Sequence, residues 1–222
     1  MTPRFQTTSH PRPETANFSL SADRMAQAKR ILARYPEDRK ASGILPILDL
    51  AQRENGGWLS KEAQDFVAEL CEVAPIRVYE VASFYTMFYT EPVGEHVVQI
   101  CRTTTCWLNG SDELTNCAKQ KLGINLGEST PDGKFTLIEV ECLGACANAP
   151  MVQVNDDYYE DLNSERFELV LEALESGKSL EAGSQSNRLS SAPDGGPATL
   201  VDYDATNNKT QKLAAFTPPE AK

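Results

Sequence analysis

Histidine is scarce in this 222-residue chain: there are two, His10 and His96. Neither has nearby partners in the sequence that would make it a general base or a metal ligand. Positive charge is also short, with 21 Lys and Arg against 32 Asp and Glu, for a formal net charge of -11. Nucleic acid and anionic membrane surfaces are bound by clustered Lys and Arg, so the acidic balance argues against both classes of partner. No run of about 18 apolar residues exists to span a bilayer, and no direct membrane contact is expected. Residues 1–20 carry no apolar stretch of the secretory kind. Pro3, Pro11 and Pro13 oppose the amphipathic helix of a mitochondrial presequence. No G-x-G-x-x-G loop follows a strand pattern, so no nicotinamide or flavin site is evident and the chain is not a complete dehydrogenase. There is no C-x-x-C redox pair and no internal repeat.

What is present suits a globular chain with one core or two small ones. Hydrophobic residues make up 41% and charged residues 24%, ordinary proportions. Residues 1–20 read as a disordered lead. Four helices are predicted over 21–92. The first runs from a Ser21 cap to about residue 34, with Met25, Ala28 and Leu32 on one face, and the second covers about 42–54, with Ile44, Ile47, Leu48 and Ala51 inward. The third covers about 61–72, capped by Ser60, and the fourth is short and opens at Pro75. Phe84, Tyr85, Met87, Phe88 and Tyr89 follow as an aromatic cluster, either core packing or a contact surface for a partner.

After residue 92 the period changes. The order becomes strand (96–100), helix (about 111–122), strand (135–140), strand (151–154), strand (158–160) and helix, the last capped by Ser164 and ended by Gly177. The fold class is therefore α+β: an N-terminal helical bundle over 21–92, then a four-stranded sheet with helices over 93–177. Residues 178–222 are rich in Ser, Gly, Asn and Pro without an apolar period, and are expected to form a flexible tail. Leu200-Val201-Asp202-Tyr203 is its one fragment apolar enough to lie along a partner.

The chemistry sits in four of the six cysteines. Cys101 and Cys106 form C-x4-C, and Cys142 and Cys146 form C-x3-C. Both pairs follow predicted strands. Neighbouring strands lie about 4.8 Å apart, so two loops leaving one sheet edge can present four sulfurs to a small cluster. Six cysteines without a secretory signal imply a reducing compartment, where thiols ligate metals more often than they pair. Structural zinc favours C-x2-C knuckles, which neither pair has, and four thiolates are the common ligand set of Fe–S clusters. The small residues Thr103, Thr104, Thr105, Gly144, Ala145 and Ala147 leave backbone N–H groups free to reach the sulfurs, although the threonines also suit plain loop solvation. Spacing favours a [2Fe–2S] cluster that moves single electrons. A zinc-stabilised interaction module without redox role stays open. Cys71 and Cys117 stand on helices among apolar neighbours and read as packing thiols.

Asp132-Gly133-Lys134-Phe135-Thr136, followed by Cys142-Leu143-Gly144-Ala145-Cys146-Ala147-Asn148-Ala149-Pro150, resembles the signature of the small [2Fe–2S] subunit of respiratory complex I, known as the E type in bacteria and the flavoprotein-2 type in mitochondria. Val81-Ala82-Ser83-Phe84-Tyr85-Thr86-Met87-Phe88 is similar to a motif in the helical domain of that family. The resemblance covers about residues 20–180. It implies a thioredoxin-like [2Fe–2S] ferredoxin domain after the helical bundle, a cluster on Cys101, Cys106, Cys142 and Cys146, and a cis Ala149–Pro150 peptide. It implies one-electron transfer within an NADH:quinone oxidoreductase, with FMN and NADH on a partner NADH-oxidising subunit and further peripheral-arm subunits as neighbours. No catalytic side chain is expected. A peripheral position is implied on the cytoplasmic face of the bacterial inner membrane, or alternatively on the mitochondrial matrix side. Related subunits serve NAD-linked hydrogenases and formate dehydrogenases, which form the alternative hosts. A free-standing ferredoxin fits less well, because a soluble shuttle needs no helical docking region.

Overall fold

The structure, a computed structural model, describes residues 18–193. His10, residues 1–17 of the lead expected over 1–20 and the Leu200-Val201-Asp202-Tyr203 fragment lie outside the described residues, whereas Phe18 and Leu20 at the end of that lead pack on the helical core, so it is not disordered there. The chain begins with α1 (Ala22–Leu32), a 3-10 stretch (Glu37–Gly43), α2 (Ile44–Glu54), α3 (Lys61–Leu70) and α4 (Pro75–Phe84). Ser60 caps α3 by accepting the Ala63 N–H at 3.1 Å, and Pro75 opens α4 where its missing N–H costs nothing. Ser21 stands at the N-cap of α1, but its hydroxyl donates to Glu54 rather than capping. Ile47, Leu48, Ala51, Ala63, Val67, Cys71, Val78 and Phe88 close one core among these helices.

The second part runs β1 (His96–Cys101), α5 (Thr104–Leu108), α6 (Ser111–Leu122), β2 (Glu128–Ser129) and β3 (Phe135–Val140). It continues through β4 (Val152–Val154), β5 (Asp157–Glu160), α7 (Ser164–Glu175) and β6 (Gly183–Ser184). The sheet has six strands in the order β2-β3-β1-β4-β5-β6, where four were expected. The two additions are two-residue strands too short to leave a period in the sequence. β1 and β3 are parallel, and β4 runs antiparallel to β1. Val98, Ile100, Phe135 and Leu137 face a core completed by Leu114 and Ala118 of α6 and by Phe167, Val170 and Leu171 of α7.

Val97 and Ile138 point the other way and pack with Trp58 and Tyr89, joining the helices to the sheet. Arg53 adds two bonds to the Asp156 carboxylate at 2.7 and 2.9 Å. Gly94 passes so close to β3 that a Cβ there would lie 2.7 Å from the Phe135 carbonyl carbon, and its N–H donates to Thr136 Oγ1 at 2.6 Å. The aromatic cluster divides: Phe88 and Tyr89 are buried, whereas Phe84 is 77% and Met87 51% exposed.

Three local expectations are corrected. The cap of α7 is Asn163, whose extended backbone lets its side-chain oxygen accept the Arg166 N–H at 2.8 Å; Ser164 is the first helical residue. The stretch after Cys101, expected as a loop, holds the short helix α5 with Thr103 at its N-cap. The flexible tail expected over residues 178–222 is overturned for residues 178–193. Leu180 packs on the sheet core, β6 pairs in parallel with β5, and polar side chains tie the rest down. Apolar periodicity has no way to report order held by hydrogen bonds.

Candidate metal centre

Topology brings the four cysteines together. In the parallel ladder Cys101 is the last residue of β1 and lies opposite Val140, the last of β3, so both strands end at one edge of the sheet. Cys142 follows two residues beyond. β4 runs back from the same edge, with Val152 opposite Ile100, and the Ala149–Pro150 peptide before it is cis. Cys106 comes from α5 and Cys146 from a 3-10 turn over Cys146–Asn148.

The inner pair, Cys101 and Cys106, is buried beside Met151, with Leu143, Ala145, Ala149 and Tyr158 around it. The outer pair, Cys142 and Cys146, is exposed, its sulfurs 3.5 Å apart. Tyr158 donates its hydroxyl to Leu143 O at 2.9 Å and pins the outer loop. Gly144, at φ +87, turns its N–H onto Cys142 Sγ at 3.4 Å; a side chain there would be strained. The Thr103 hydroxyl lies 3.4 Å from Cys101 Sγ, so at least this threonine does more than solvate a loop.

Burial opposes ionisation of Cys101. The Thr103 hydroxyl and N–H, the Cys106 thiol and the Leu143 N–H outweigh it and bring this thiol below its ordinary value. Cys106 is pushed up to about 12, first by burial and then by the Cys101 sulfur. In the outer pair the Gly144 N–H and the Cys146 thiol lower Cys142, while Cys142 raises Cys146. Within each pair the two thiols are therefore unlike, Cys101 and Cys142 being the easier to ionise, and ligation by all four requires their protons to leave.

The donor set fits a [2Fe–2S] cluster: four thiols, half of them walled off by apolar side chains, with N–H and hydroxyl donors aimed at sulfur. A tetrahedral zinc ion draws its thiolates to one point at about 2.3 Å. Among the described residues no three His, Cys, Asp or Glu are set around a single ion. Cys71 and Cys117 are not part of the group. Cys71 is buried in the helical core and its thiol is raised to about 11 by burial. Cys117 is raised by burial on α6 and donates to Ser164 O at 3.7 Å. His96 packs against the Phe135 ring, away from the sulfurs. Reasoning from sequence missed Met151 and Tyr158 as walls of the site. The Thr103-Thr104-Thr105-Cys106 run was the available sign of a helix start under Cys106.

Comparison with known proteins agrees with this geometry. The family described as thioredoxin-like [2Fe-2S] ferredoxin matches residues 28–175. The chain is 48% identical over 189 residues to NADH dehydrogenase [ubiquinone] flavoprotein 2, mitochondrial, of Dictyostelium discoideum, covering 85% of this chain and 76% of that one. It is 54% identical over 158 residues to the E-type subunit of NADH-quinone oxidoreductase from Rickettsia bellii, covering 71% and 95% respectively. Among solved structures, an NAD+-reducing [NiFe]-hydrogenase in the H2-reduced state shares the fold, with a TM-score of 0.55 at 20% identity. That match covers 62% of this chain and 23% of the hydrogenase chain.

Proposed function

Because the chain belongs to the thioredoxin-like [2Fe–2S] ferredoxin family, we propose that it is the small electron-transfer subunit of an NADH:quinone oxidoreductase, with Cys101, Cys106, Cys142 and Cys146 as cluster ligands. The observation that carries this reading is the convergence of those four cysteines at one edge of the sheet. When bound, a [2Fe–2S] group takes up and releases one electron at a time. The protein's own residues determine how. Cys101 and Cys106 hold the inner side, and Met151, Leu143 and Tyr158 keep water from it. The Gly144 and Leu143 N–H groups and the Thr103 hydroxyl stabilise negative charge on sulfur, which favours the reduced state. The exposed outer pair leaves an open side for electron exchange.

NADH and FMN belong on a partner NADH-oxidising subunit, among other peripheral-arm subunits. Exposed Trp107 and Leu108 beside Cys106, and exposed Phe84 and Met87 on the helical part, are surfaces of the kind interfaces use. The acidic charge calls for a basic partner face. Residues 21–92 serve as the docking region and residues 93–177 carry the cluster. No helix among the described residues is long and apolar enough to cross a membrane; the position assigned is peripheral, on the cytoplasmic face of a bacterial inner membrane or the matrix side of a mitochondrial one. The likeness to the hydrogenase supports the fold alone, and the relatives at 48% and 54% identity favour the quinone-reducing host over the hydrogenase.

Anaerobically purified protein is expected to contain about two irons and two labile sulfides per chain and to show the EPR signal of a reduced cluster. NADH should reduce it only when an FMN-bearing subunit is added. One tightly bound zinc without labile sulfide would overturn the reading.

A further inference from the structure

The segment after α7 is fastened to the outer cysteine loop rather than to the sheet alone. Arg188 Nη1 donates to the carbonyl of Ala147, the residue after Cys146, at 2.8 Å. Its Nη2 donates to Asp161 Oδ1 at 2.6 Å. The other oxygen of Asp161 accepts from Ser184 Oγ at 2.6 Å and from Asn148 Nδ2 at 3.2 Å. Asn148 Nδ2 also donates to Ser190 O at 2.8 Å, and the Asp161 N–H donates to Asn148 O at 2.8 Å. The ion pair is enclosed, with side-chain exposures of 16% for Arg188 and 6% for Asp161. Arg188 Nε is buried without a partner, so the guanidinium is largely stripped of water. Charges in such surroundings act strongly on their neighbours.

We infer that residues 183–192 form a strap whose Arg188–Asp161 pair positions the Cys146 loop and balances charge beside the cluster. The inference rests on Cys146 being a cluster ligand. Arg188 is a positioning residue: it acts through the Ala147 carbonyl and touches no sulfur. Removing its charge leaves Asp161 as an enclosed anion next to the outer loop, which disfavours adding an electron nearby. Removing both charges restores neutrality. Losing the fork also frees the Ala147 carbonyl and loosens the turn that carries Cys146.

The test uses the full chain with its cluster, as wild type, R188Q, R188K, D161N/R188Q and S184A. Bleaching by an iron chelator should be at least about tenfold faster in R188Q, the usual scale for losing a group that orients a metal ligand. The reduction potential should fall in R188Q and return toward wild type in R188K and D161N/R188Q, a pattern that loss of packing alone does not produce. R188Q that bleaches at the wild-type rate with an unmoved potential would overturn the inference, and so would R188K matching R188Q in both readouts. If R188Q does not accumulate, S184A removes one bond to Asp161; faster bleaching supports the strap and an unchanged rate overturns it. Amide exchange at Asn148 and Asp161 in iron-free protein should also quicken in R188Q. This readout separates the strap from the ligand assignment, since wild type without iron would refute the second and leave the exchange result to decide the first.

Discussion

Cys101 and Val140 lie opposite each other across the parallel β1–β3 ladder. This pairing puts the first cysteine at the same edge as the strand that leads to Cys142. Side chains alternate along a strand, so a slip of one residue would turn Cys101 to the opposite face and take its sulfur out of the group. The register is held by Val98, Ile100, Phe135 and Leu137, which face one core, and by Val97 and Ile138, which face the other. The grouping of these cysteines therefore depends on apolar packing on both faces of the sheet.

Replacing Cys101, Cys106, Cys142 or Cys146 by Ala should abolish or severely weaken the visible and EPR signals of the cluster. Cys71→Ala and Cys117→Ala should retain both. Cys71 lies in the helical core, so its loss should cost on the order of 1 kcal/mol in urea unfolding. Bleaching by Cys117→Ala with colour kept in Cys106→Ala would refute the ligand assignment.

Gly94→Ala should destabilise the protein by about 1–3 kcal/mol, the range for forcing an extra methyl into packed structure. The new Cβ would press on the Phe135 backbone, which has no rotamer by which to yield. Thermal and urea melts check this, and an unchanged midpoint would show that the contact between the linker and β3 relaxes freely.

The Arg53 guanidinium lowers the Asp156 carboxyl below its ordinary value, chiefly through direct hydrogen bonds. A carboxyl lowered on folding adds stability that is fully present above its unfolded pKa and is lost as pH falls through its folded pKa. With the Asp156 side chain 68% exposed, solvent screening limits the pair to at most about 1 kcal/mol. Asp156→Asn should therefore cost up to that amount at neutral pH and almost nothing once pH is below the folded pKa. An equal loss at both pH values in unfolding experiments would argue against the ion pair.

Phe84→Asp should leave the isolated chain within about 0.5 kcal/mol of wild type, as expected for an exposed site, because Phe84 is 77% exposed. Co-elution with the FMN-bearing subunit on size exclusion should weaken at the same time. A Phe84→Asp chain that melts early would place this ring in the fold, and unaltered co-elution would remove it from the docking surface.

Strong local patterns were legible in the residues alone. The period of Ile44, Ile47, Leu48 and Ala51, the Ser60 cap, the Pro75 start and the change to strands after residue 92 all appear in the structure, because each rests on contacts within a few residues of chain. The two cysteine pairs were visible for the same reason: their spacing and flanking small residues lie within short segments. The helix under Cys106 was not seen, since five residues carry too little period to separate a turn from a loop. Neither β2 nor β6 was seen, since a two-residue strand is defined by its partner. Which aromatic residues are buried was also decided outside the local pattern, for Phe84 and Phe88 share a segment and a chemistry but only Phe88 meets the helical core.

Residue type and local order were enough to single out the two cysteine pairs, the longer helical and strand segments and the acidic charge. The folded chain alone sets which sulfurs are inner and which outer, and that Asp161 and Arg188, 27 positions apart, close on the turn after Cys146. The physical reason is that burial and charge pairing depend on what the chain brings together from a distance. A lone Arg or Asp in a polar stretch carries no mark of its partner until the sheet edge exists to hold both.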